Sequence, residues 1–345
     1  MAFIKTESFD SYADSTDADD LQLNWTVEVP TASGYTFLTG RNGVGKCVRM
    51  GSGTRGFSTG IANVSAVQVA FSFYAEDIPG STKPICQLLE NGTTHCSINI
   101  ESSGSLTAVR PGFTLHSSSK LLRTTRWYTF KLLMTISDSI SANEFILLVN
   151  DEEWLNVPAT ADTKSGLTGL ANSFMIGDTS AQGFSRRYDD FIMQTPGDAW
   201  LDEHRVDTIR PNGNGTTNQL LGSDADSVDN YLHVDEVAPD RATSYVESST
   251  ATEIDLYNLE SLPFTPASIY CVNPCAIVQK DAAGARTVKQ LIRTGAANFE
   301  GATEHFPANG SWGRVEDPFS QNPDTVAAWV VADVDALQSG IKIES

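Results

Sequence analysis

Apolar and polar residues alternate along several stretches of the first 200 residues. Successive side chains of a strand point to opposite faces, so apolar residues at every second position lie on one side of it. This alternation predicts half-buried antiparallel strands and does not fit the helical period. Its clearest members are three sets of five: Leu21, Leu23, Trp25, Val27 and Val29; Val67, Val69, Phe71, Phe73 and Ala75; and Tyr128, Phe130, Leu132, Met134 and Ile136.

A β-hairpin is predicted between residues 145 and 157. Alternating apolar positions at 145–149 lead into a polar turn at 150–152, and the chain returns over 154–157. Weaker alternation, bounded by Gly, Ser, Asn and Asp, predicts further strands at 84–90, 95–101, 105–109, 173–177 and 188–194. About ten to twelve short strands before residue 200 predict two packed antiparallel sheets.

The alternation fades between residues 197 and 250, where Pro, Gly, Asn and Asp accumulate. Long segments of this kind in compact proteins are usually functional or linking. We therefore predict an extended, loop-rich arm that becomes ordered through contacts with a neighbouring molecule.

A second β region follows the arm. It is predicted to contain a hairpin turn at Asp281–Gly284, one helical turn at Asp333–Gln338 capped by Gly340, and strands at 253–259, 268–280, 287–294 and 341–344. The predicted organisation is therefore all-β, with one domain over residues 1–196, the arm over 197–250 and a smaller, β-sandwich-like domain over 251–345.

The charge of the chain limits its partners. It has 23 Lys and Arg residues against 43 Asp and Glu residues, a formal net charge of −20. Because nucleic acids are bound by clustered Lys and Arg, no nucleic-acid partner is expected. The apolar runs are short and the N-terminal residues MAFIKTESFD have no apolar core, so neither membrane insertion nor a secretion signal is expected.

Cysteine usage fits a reducing compartment. The five cysteines are an odd number, so at least one has no partner within the chain. Cys86 and Cys96 could meet across a hairpin, whereas Cys271 and Cys275 lack the second pair that a zinc site needs. We expect all five to be packing residues: Cys47, Cys86, Cys96, Cys271 and Cys275.

Two short motifs resemble enzyme signatures without their required surroundings. Residues 40–46 match the phosphate-binding pattern GxxxxGK, but Cys47 follows where Ser or Thr would hold magnesium, and glycines at 51, 53 and 56 disfavour the necessary helix. Residues 56–60 match GxSxG, yet a strand follows where a nucleophile elbow needs a helix. We expect glycine turns at both motifs, with no catalytic or cofactor-binding residue and no enzyme activity.

Acidic clusters in loops are candidates for calcium, which prefers oxygen ligands. Two triads are the candidates for a structural calcium site, namely Asp14, Asp17 and Asp19, and Asp224, Asp226 and Asp229. The alternative is that these residues only form turns. Asp189 and Asp190 form another acidic pair, but no glycosidase-type arrangement of acidic residues accompanies it.

The tryptophans divide into two groups. Trp25, Trp127 and Trp154 lie in or beside predicted strands and are expected to pack against the sheets. Trp200, Trp312 and Trp329 lie in less regular regions and are the better candidates for contact surfaces.

The order of several motifs resembles a known family. An N-terminal Phe9-Asp10-x-Tyr12 precedes the strand of Trp25 and is followed by four further motifs, at Gly40–Arg49, Trp127–Lys131, Phe174–Asp178 and Tyr188–Phe191. Together with the turn at Val149–Asp151, this order resembles the concanavalin-like (laminin-G-like) jelly-roll domains of tailed-bacteriophage virion proteins over residues 1–195. In such jelly rolls the Tyr-Asp-Asp strand is usually structural, so no catalytic role follows for Asp189 or Asp190.

The resemblance implies a non-enzymatic virion structural protein without a cofactor, made in the bacterial cytoplasm and located in the virion. We expect a component of the tail or adsorption apparatus that forms homo-oligomers, binds other virion proteins and contacts host surface glycans. Two alternatives stay open at this point. One is a capsid decoration protein, and the other is a free carbohydrate-binding lectin or glycan depolymerase.

Overall fold

The computed structural model describes residues 3–12, 21–27, 34–53, 56–166, 168–180, 182–281 and 284–345. The chain divides into two compact units, Met1–Asp207 and Thr208–Ser345. Both units consist mainly of antiparallel strands, so the predicted all-β class is confirmed.

Two antiparallel sheets form the first unit, as the alternation predicts. The larger sheet contains eight strands within the described residues, in the spatial order β13 (Glu152–Asn156), β12 (Phe145–Val149), β11 (Trp127–Thr135), β6 (Ala66–Ala75), β15 (Arg186–Gln194), β4 (Lys46–Met50) and β3 (Tyr35–Thr39), with β1 (Phe3–Glu7) also paired with β15.

The second sheet has seven strands in the described part of the chain. Their order is β10 (Phe113–Leu121), β9 (Ser105–Arg110), β8 (Thr93–Ile100), β7 (Lys83–Glu90), β14 (Ala171–Ile176), β5 (Phe57–Val64) and β2 (Thr26–Val27). The chain crosses repeatedly between the two sheets, which gives a jelly-roll sandwich.

The core between the sheets comes from the predicted apolar faces. Val69, Phe71 and Phe73 of β6 are fully buried, as are Phe130 and Leu132 of β11. The predicted hairpin is also confirmed, because β12 pairs with β13 across a turn in which Asn150 and Asp151 have positive φ angles of 51° and 64°. Backbone of this kind is typical of tight two-residue hairpins.

The predicted strand at residues 21–29 is wrong in its first half. The Trp25 N–H donates to the Leu21 carbonyl at 2.9 Å, which is the bond of a helical turn, and only Thr26–Val27 is a strand. Residues four apart share a face in a helical turn as well as in a strand, so the pattern could not distinguish them. Val29 lies outside the described residues.

A five-stranded sheet organises the described residues of the second unit. Its order is β16 (Pro211–Asn218), β19 (Ile254–Leu259), β24 (Gln338–Ile343), β21 (Val288–Thr294) and β22 (Ala297–Glu300). The shorter elements are two ladders and a helix, namely β17 (Leu221–Gly222) with β18 (Val246–Glu247), β20 (Cys275–Val278) with β23 (Gly313–Glu316), and α1 (Val331–Asp335). Two 3-10 turns lie at Arg41–Gly43 in the first unit and Asn230–His233 in the second.

The segment predicted as a connector, 197–250, does not form one extended arm. Its residues up to 207 belong to the first unit, and β16 pairs with β19 in the second. The buried Asp255 carboxylate accepts the N–H groups of Gln219 and Leu220, at 2.6 and 2.8 Å, and the Asn230 side chain, at 2.6 Å. As β16 is an edge strand rich in Gly and Asn, it lacks the apolar alternation that identifies a strand.

Two further predictions for the second unit need correction. β20 pairs with β23 and not with β21, so the expected hairpin through Asp281–Gly284 does not form. Gly340 is not a helix cap but lies within β24, where a Cβ atom would collide with the Asp255 carbonyl. The partner of β20 and the position of Gly340 both depend on pairing between distant strands, which the residues of a local turn cannot indicate.

Candidate functional site

The loop that matches GxxxxGK is a tight connection between β3 and β4. The Gly40 N–H donates to the Gly45 carbonyl at 3.0 Å, and β4 follows directly, so the predicted glycine turn is confirmed. Arg41 in this loop is only 7% exposed. Its Nε donates to Asp190 Oδ2 at 2.8 Å, its Nη1 donates to Glu203 Oε1 at 2.8 Å, and its Nη2 donates to the His204 carbonyl.

A β-bulge in β15 brings the acidic pair to this loop. Asp189 pairs with Ser72 and Ile192 with Ala70, so β15 has one residue more than β6 over this stretch. The extra position is Asp190, whose φ angle of 52° is unusual for a residue other than glycine. Bulges of this kind redirect side chains and are frequent beside functional or strained sites.

The two carboxylates connect segments that are distant in the sequence. Asp190 accepts the Ser72 hydroxyl at 2.9 Å and the Val206 N–H at 3.0 Å, in addition to Arg41. Asp189 accepts the backbone N–H groups of Arg41 at 2.7 Å and of Asp190 at 2.8 Å. Strand β6, the β3–β4 loop and the segment 203–206 are therefore held at one point.

The glycines of the loop leave room for carboxylates. A Cβ atom at Gly40 would lie 2.8 Å from Asp189 Oδ2, and one at Gly45 would lie 2.5 Å from Asp10 Oδ1. Asp10 Oδ1 also accepts the Lys46 N–H at 2.5 Å. In a phosphate-binding loop the N–H groups face an anionic ligand, whereas here protein carboxylates already fill that role.

Crowding of the carboxylates changes their protonation. Burial, followed by the charge of Asp190, raises the pKa of Asp189 to about 9. Burial also raises the pKa of Asp207 to about 6, against the opposing effect of Arg205. Burial thus favours the protonated form of Asp189, against the two backbone N–H groups that it accepts. No space for even a water molecule lies between these described side chains, so the charge network, defined as Asp10, Arg41, Asp189, Asp190, Arg205 and Asp207, is closed.

The predicted calcium candidates are not assembled into a site in the described residues, where no group of three or more His, Cys, Asp or Glu side chains could hold a metal ion. Asp14, Asp17 and Asp19 lie outside those residues. Asp224 and Asp226 accept N–H groups of their own loop, at 3.3 and 2.8 Å, which is turn-forming behaviour. Asp229 has a positive φ angle at the start of a 3-10 turn.

A buried histidine arrangement was missed by the sequence analysis. His95 Nε2 lies 2.9 Å from Glu90 Oε2, and His95 Nδ1 lies 3.3 Å from the Ser165 hydroxyl. This is the connectivity of a Ser–His–acid triad. The backbone N–H of Ser165 also points to Nδ1 at 3.4 Å, and Thr168 donates to Glu90 at 2.6 Å.

These contacts indicate that His95 anchors the loop of Ser165. The ring is fully buried, and its one acceptor nitrogen already receives a backbone N–H, which a general base would have to release. The available sequence signal was Glu90 and His95 flanking the Asn91-Gly92 turn. It gives no indication of Ser165, which is 70 residues further along the chain.

The cysteines and tryptophans follow the sequence predictions in part. None of the five cysteines, all of which the structure describes, forms a disulfide, and burial raises the pKa of Cys47 and Cys86 to about 12, as expected for packing residues. Cys275 is exposed and does not fit that prediction. Trp329 is buried and donates its indole N–H to the Phe319 carbonyl at 2.8 Å, so its predicted role in a contact surface is wrong.

No family model and no curated protein matches the chain. Among solved structures, Trypanosoma rangeli sialidase in complex with the inhibitor DANA gives a TM-score of 0.35 at 11% identity, over 46% of this chain and 27% of that chain. The cellulose-induced protein Cip1 gives 0.43 at 13% identity, over 58% and 100%. The alginate lyase AlgAT5 of polysaccharide lyase family 7 gives 0.35 at 11% identity, over 51% and 97%.

The chain thus spans about a quarter of the length of the sialidase that it matches. TM-scores this low give no basis for transferring an activity or a ligand to this chain. No helix among the described residues is long and apolar enough to cross a membrane.

Proposed function

We propose that this chain is a non-enzymatic structural protein of a tailed-bacteriophage virion, a component of the tail or adsorption apparatus. In this role it assembles with copies of itself and with other virion proteins, and it contacts glycans on the host surface. The order of motifs from Phe9 to Phe191 supports the phage assignment by resemblance.

The closed charge network is the observation that carries the structural role. An active site needs acidic or basic groups that reach a substrate and a space for that substrate. In the network, Asp189 and Asp190 direct their oxygens to protein N–H and O–H groups, and no space is left between the side chains. The GxxxxGK loop therefore holds strands and loops together, which suits a rigid particle component. The GxSxG residues 57–60 lie within β5, so the glycine turn predicted there is wrong.

Immunogold electron microscopy of particles of the phage that encodes the chain tests the location. An antibody raised against the purified chain is expected to label the tail or its tip. Label confined to the faces of the head would contradict the tail assignment and favour the capsid decoration protein. Particles without label would overturn the virion proposal altogether.

The non-enzymatic part of the proposal is tested by a reducing-end assay on a panel of bacterial polysaccharides. The purified full chain is expected to release no sugar ends. Ser165→Ala is the matched variant, since Ser165 belongs to the arrangement most similar to a catalytic triad. Release that depends on Ser165 would identify a hydrolase. Release that is unchanged in the variant would point to another catalytic group, and either result would contradict the proposal.

A further inference from the structure

One row of side chains crosses the outer face of the eight-stranded sheet. Its members pair in register on five neighbouring strands and are Thr36, Arg49, Arg187, Tyr74 and Trp127. The next residues along the same strands lie in the core, namely Tyr35, Val48, Tyr188, Phe73 and Tyr128. Because side chains alternate between the faces of a sheet, the whole row points away from the core.

Most of the neighbouring outer face is covered. Ser72 and Gln68, which share the face with Tyr74 on β6, are 0% and 1% exposed. Gln68 donates to the Asp198 carbonyl at 2.9 Å and accepts the Gly197 N–H at 3.0 Å, so the chain after β15 runs over it. The row itself stays open, since the side chains of Arg49 and Arg187 are 32% and 27% exposed.

The open row combines aromatic rings with cations. The rings of Trp127 and Tyr74 lie 5.3 Å apart, and the Arg187 guanidinium lies over Tyr74 at 4.8 Å. Glu76 accepts Arg49 Nε at 2.9 Å and Arg187 Nε at 2.8 Å. Glu76 thus joins two guanidinium groups, and the Asp77 carboxylate also acts on Arg49, so two arginines lie side by side on the surface of a chain of net charge −20.

Arg187 has N–H groups that Glu76 does not use. Glu76 uses Nε and Nη2 of Arg49 but only Nε of Arg187. Within the described residues, the two Nη groups of Arg187 have no hydrogen-bond partner. A planar guanidinium with N–H groups that no protein group uses suits a carboxylate, and a partly exposed tryptophan such as Trp127 suits the apolar face of a sugar ring.

We propose that this row, the arginine–aromatic row, binds an acidic oligosaccharide. A pyranose ring stacks on Trp127, and a uronate carboxylate on a neighbouring sugar accepts hydrogen bonds from Arg187. Tyr74 lies between these two positions, so the ligand must span more than one sugar unit. The inference deepens the proposed function, since it rests on the proposed contact with host glycans and names the class of glycan.

Calorimetry with oligogalacturonate tests the proposal on the purified full chain. The matched ligand is the methyl-esterified oligomer, which keeps the sugar rings and removes the charge. We expect the acidic oligomer to bind and the ester to bind at least about tenfold more weakly, because hydrogen bonds to charged groups are the stronger ones. Affinity should also fall as salt is added. Equal binding of acid and ester, or competition by inorganic phosphate at equal concentration, would overturn the uronate assignment.

Three substitutions locate the site. Trp127→Ala and Arg187→Gln should each weaken binding by about tenfold or more. Glu76→Gln should strengthen binding, since it removes the carboxylate that competes for both arginines. Phe113→Ala is the matched control, as Phe113 is an exposed ring with Arg110 over it at 4.5 Å on the other sheet. Thermal unfolding of each variant separates loss of binding from loss of fold.

The outcomes distinguish this inference from the proposed function. An equal loss in Phe113→Ala and Trp127→Ala, or no binding by the unaltered chain, would overturn the arginine–aromatic row as a glycan site. Either result, combined with tail label on virions, would leave the structural role standing. Binding without any label on virions would support the row and contradict the virion assignment.

Discussion

In the first unit, the single carboxylate of Asp190 holds several distant segments together. Asp190 lies at the extra position of a bulge, with a positive φ angle, and its side chain accepts hydrogen bonds from Arg41, Ser72 and Val206. The side chains of Arg41 and Asp190 are only 7% and 3% exposed, so Asp190 is the buried ion-pair partner of Arg41, whereas the other partner, Glu203, is 75% exposed. Removing one partner of a buried ion pair leaves an uncompensated charge, which is the costly case.

Asp190→Ala should therefore lower the free energy of unfolding by about 3–5 kcal/mol, measured by urea denaturation. Asp202→Ala is the control, because Asp202 is exposed in the same segment, and it should change stability by no more than about 0.5 kcal/mol. Similar stability of the two variants would mean that the network does not hold the loop.

Asp189 predicts a dependence of stability on pH. Its folded-state pKa is about 9, whereas an unfolded Asp titrates near ~3.9. Between these values the folded chain keeps a proton that the unfolded chain has released, so its stabilising contribution is present at low pH and is lost as the pH rises towards 9.

Asp189→Asn mimics the protonated group and cannot lose that proton. The stability of the variant relative to the unaltered chain should therefore rise with pH from about 4 to about 9. Urea denaturation at a series of pH values measures this difference. A flat difference for Asp189→Asn would contradict the protonated state.

At the scale of elements, the β3–β4 loop explains why glycines occur in a pattern that mimics a nucleotide-binding motif. Gly43 and Gly45 both have positive φ angles, of 77° and 61°. They differ in their surroundings, since a Cβ at Gly43 would meet nothing within 4 Å, whereas one at Gly45 would meet the Asp10 carboxylate. Backbone conformation alone requires the first glycine, while conformation and close approach together require the second.

This difference gives a matched pair of variants. Gly43→Ala should cost about 1–2 kcal/mol of unfolding free energy, from the left-handed backbone alone. Gly45→Ala should cost clearly more, because the methyl group also displaces Asp10 from the Lys46 N–H. Equal losses in the two variants, measured by urea denaturation, would show that Asp10 does not pack against the loop as described.

At the scale of the whole molecule, the first unit ends where its last charged contacts end. Glu203 and Val206 contact Arg41 and Asp190, and Leu201 is 2% exposed. A boundary at residue 196, as the composition suggests, would cut these contacts away. The boundary at Asp207 keeps them.

Two truncated chains test this boundary. A chain ending at Asp207 should unfold cooperatively on heating, whereas one ending at Pro196 should be less stable, because Arg41 loses its contacts with Glu203 and His204 and Gln68 loses its cover. Thermal unfolding followed by circular dichroism compares them directly. Equal stability would show that the segment 197–207 adds little to the first unit.

Local patterns along the chain were enough to predict most strands of the sandwich and two of its turns. Alternation at Val67–Ala75 and Tyr128–Ile136, together with the polar turn at Asn150-Asp151, is local, because the direction of a side chain on a strand depends only on its position along that strand. The surroundings of GxxxxGK also sufficed to exclude a nucleotide loop, because the missing helix is a local feature too.

Contacts between distant segments could not be predicted from local patterns and are seen only in the folded chain. The Arg41–Asp189 contact joins residues 148 positions apart, and the arginine–aromatic row needs the register of five strands. The helical turn at Leu21–Trp25 and the edge strand β16 were also missed. The helical turn has the apolar spacing that a strand would have, and β16 has no apolar alternation. The physical reason is that ion pairs and strand pairing depend on the path of the whole chain, while periodicity reports only which face of an element is buried.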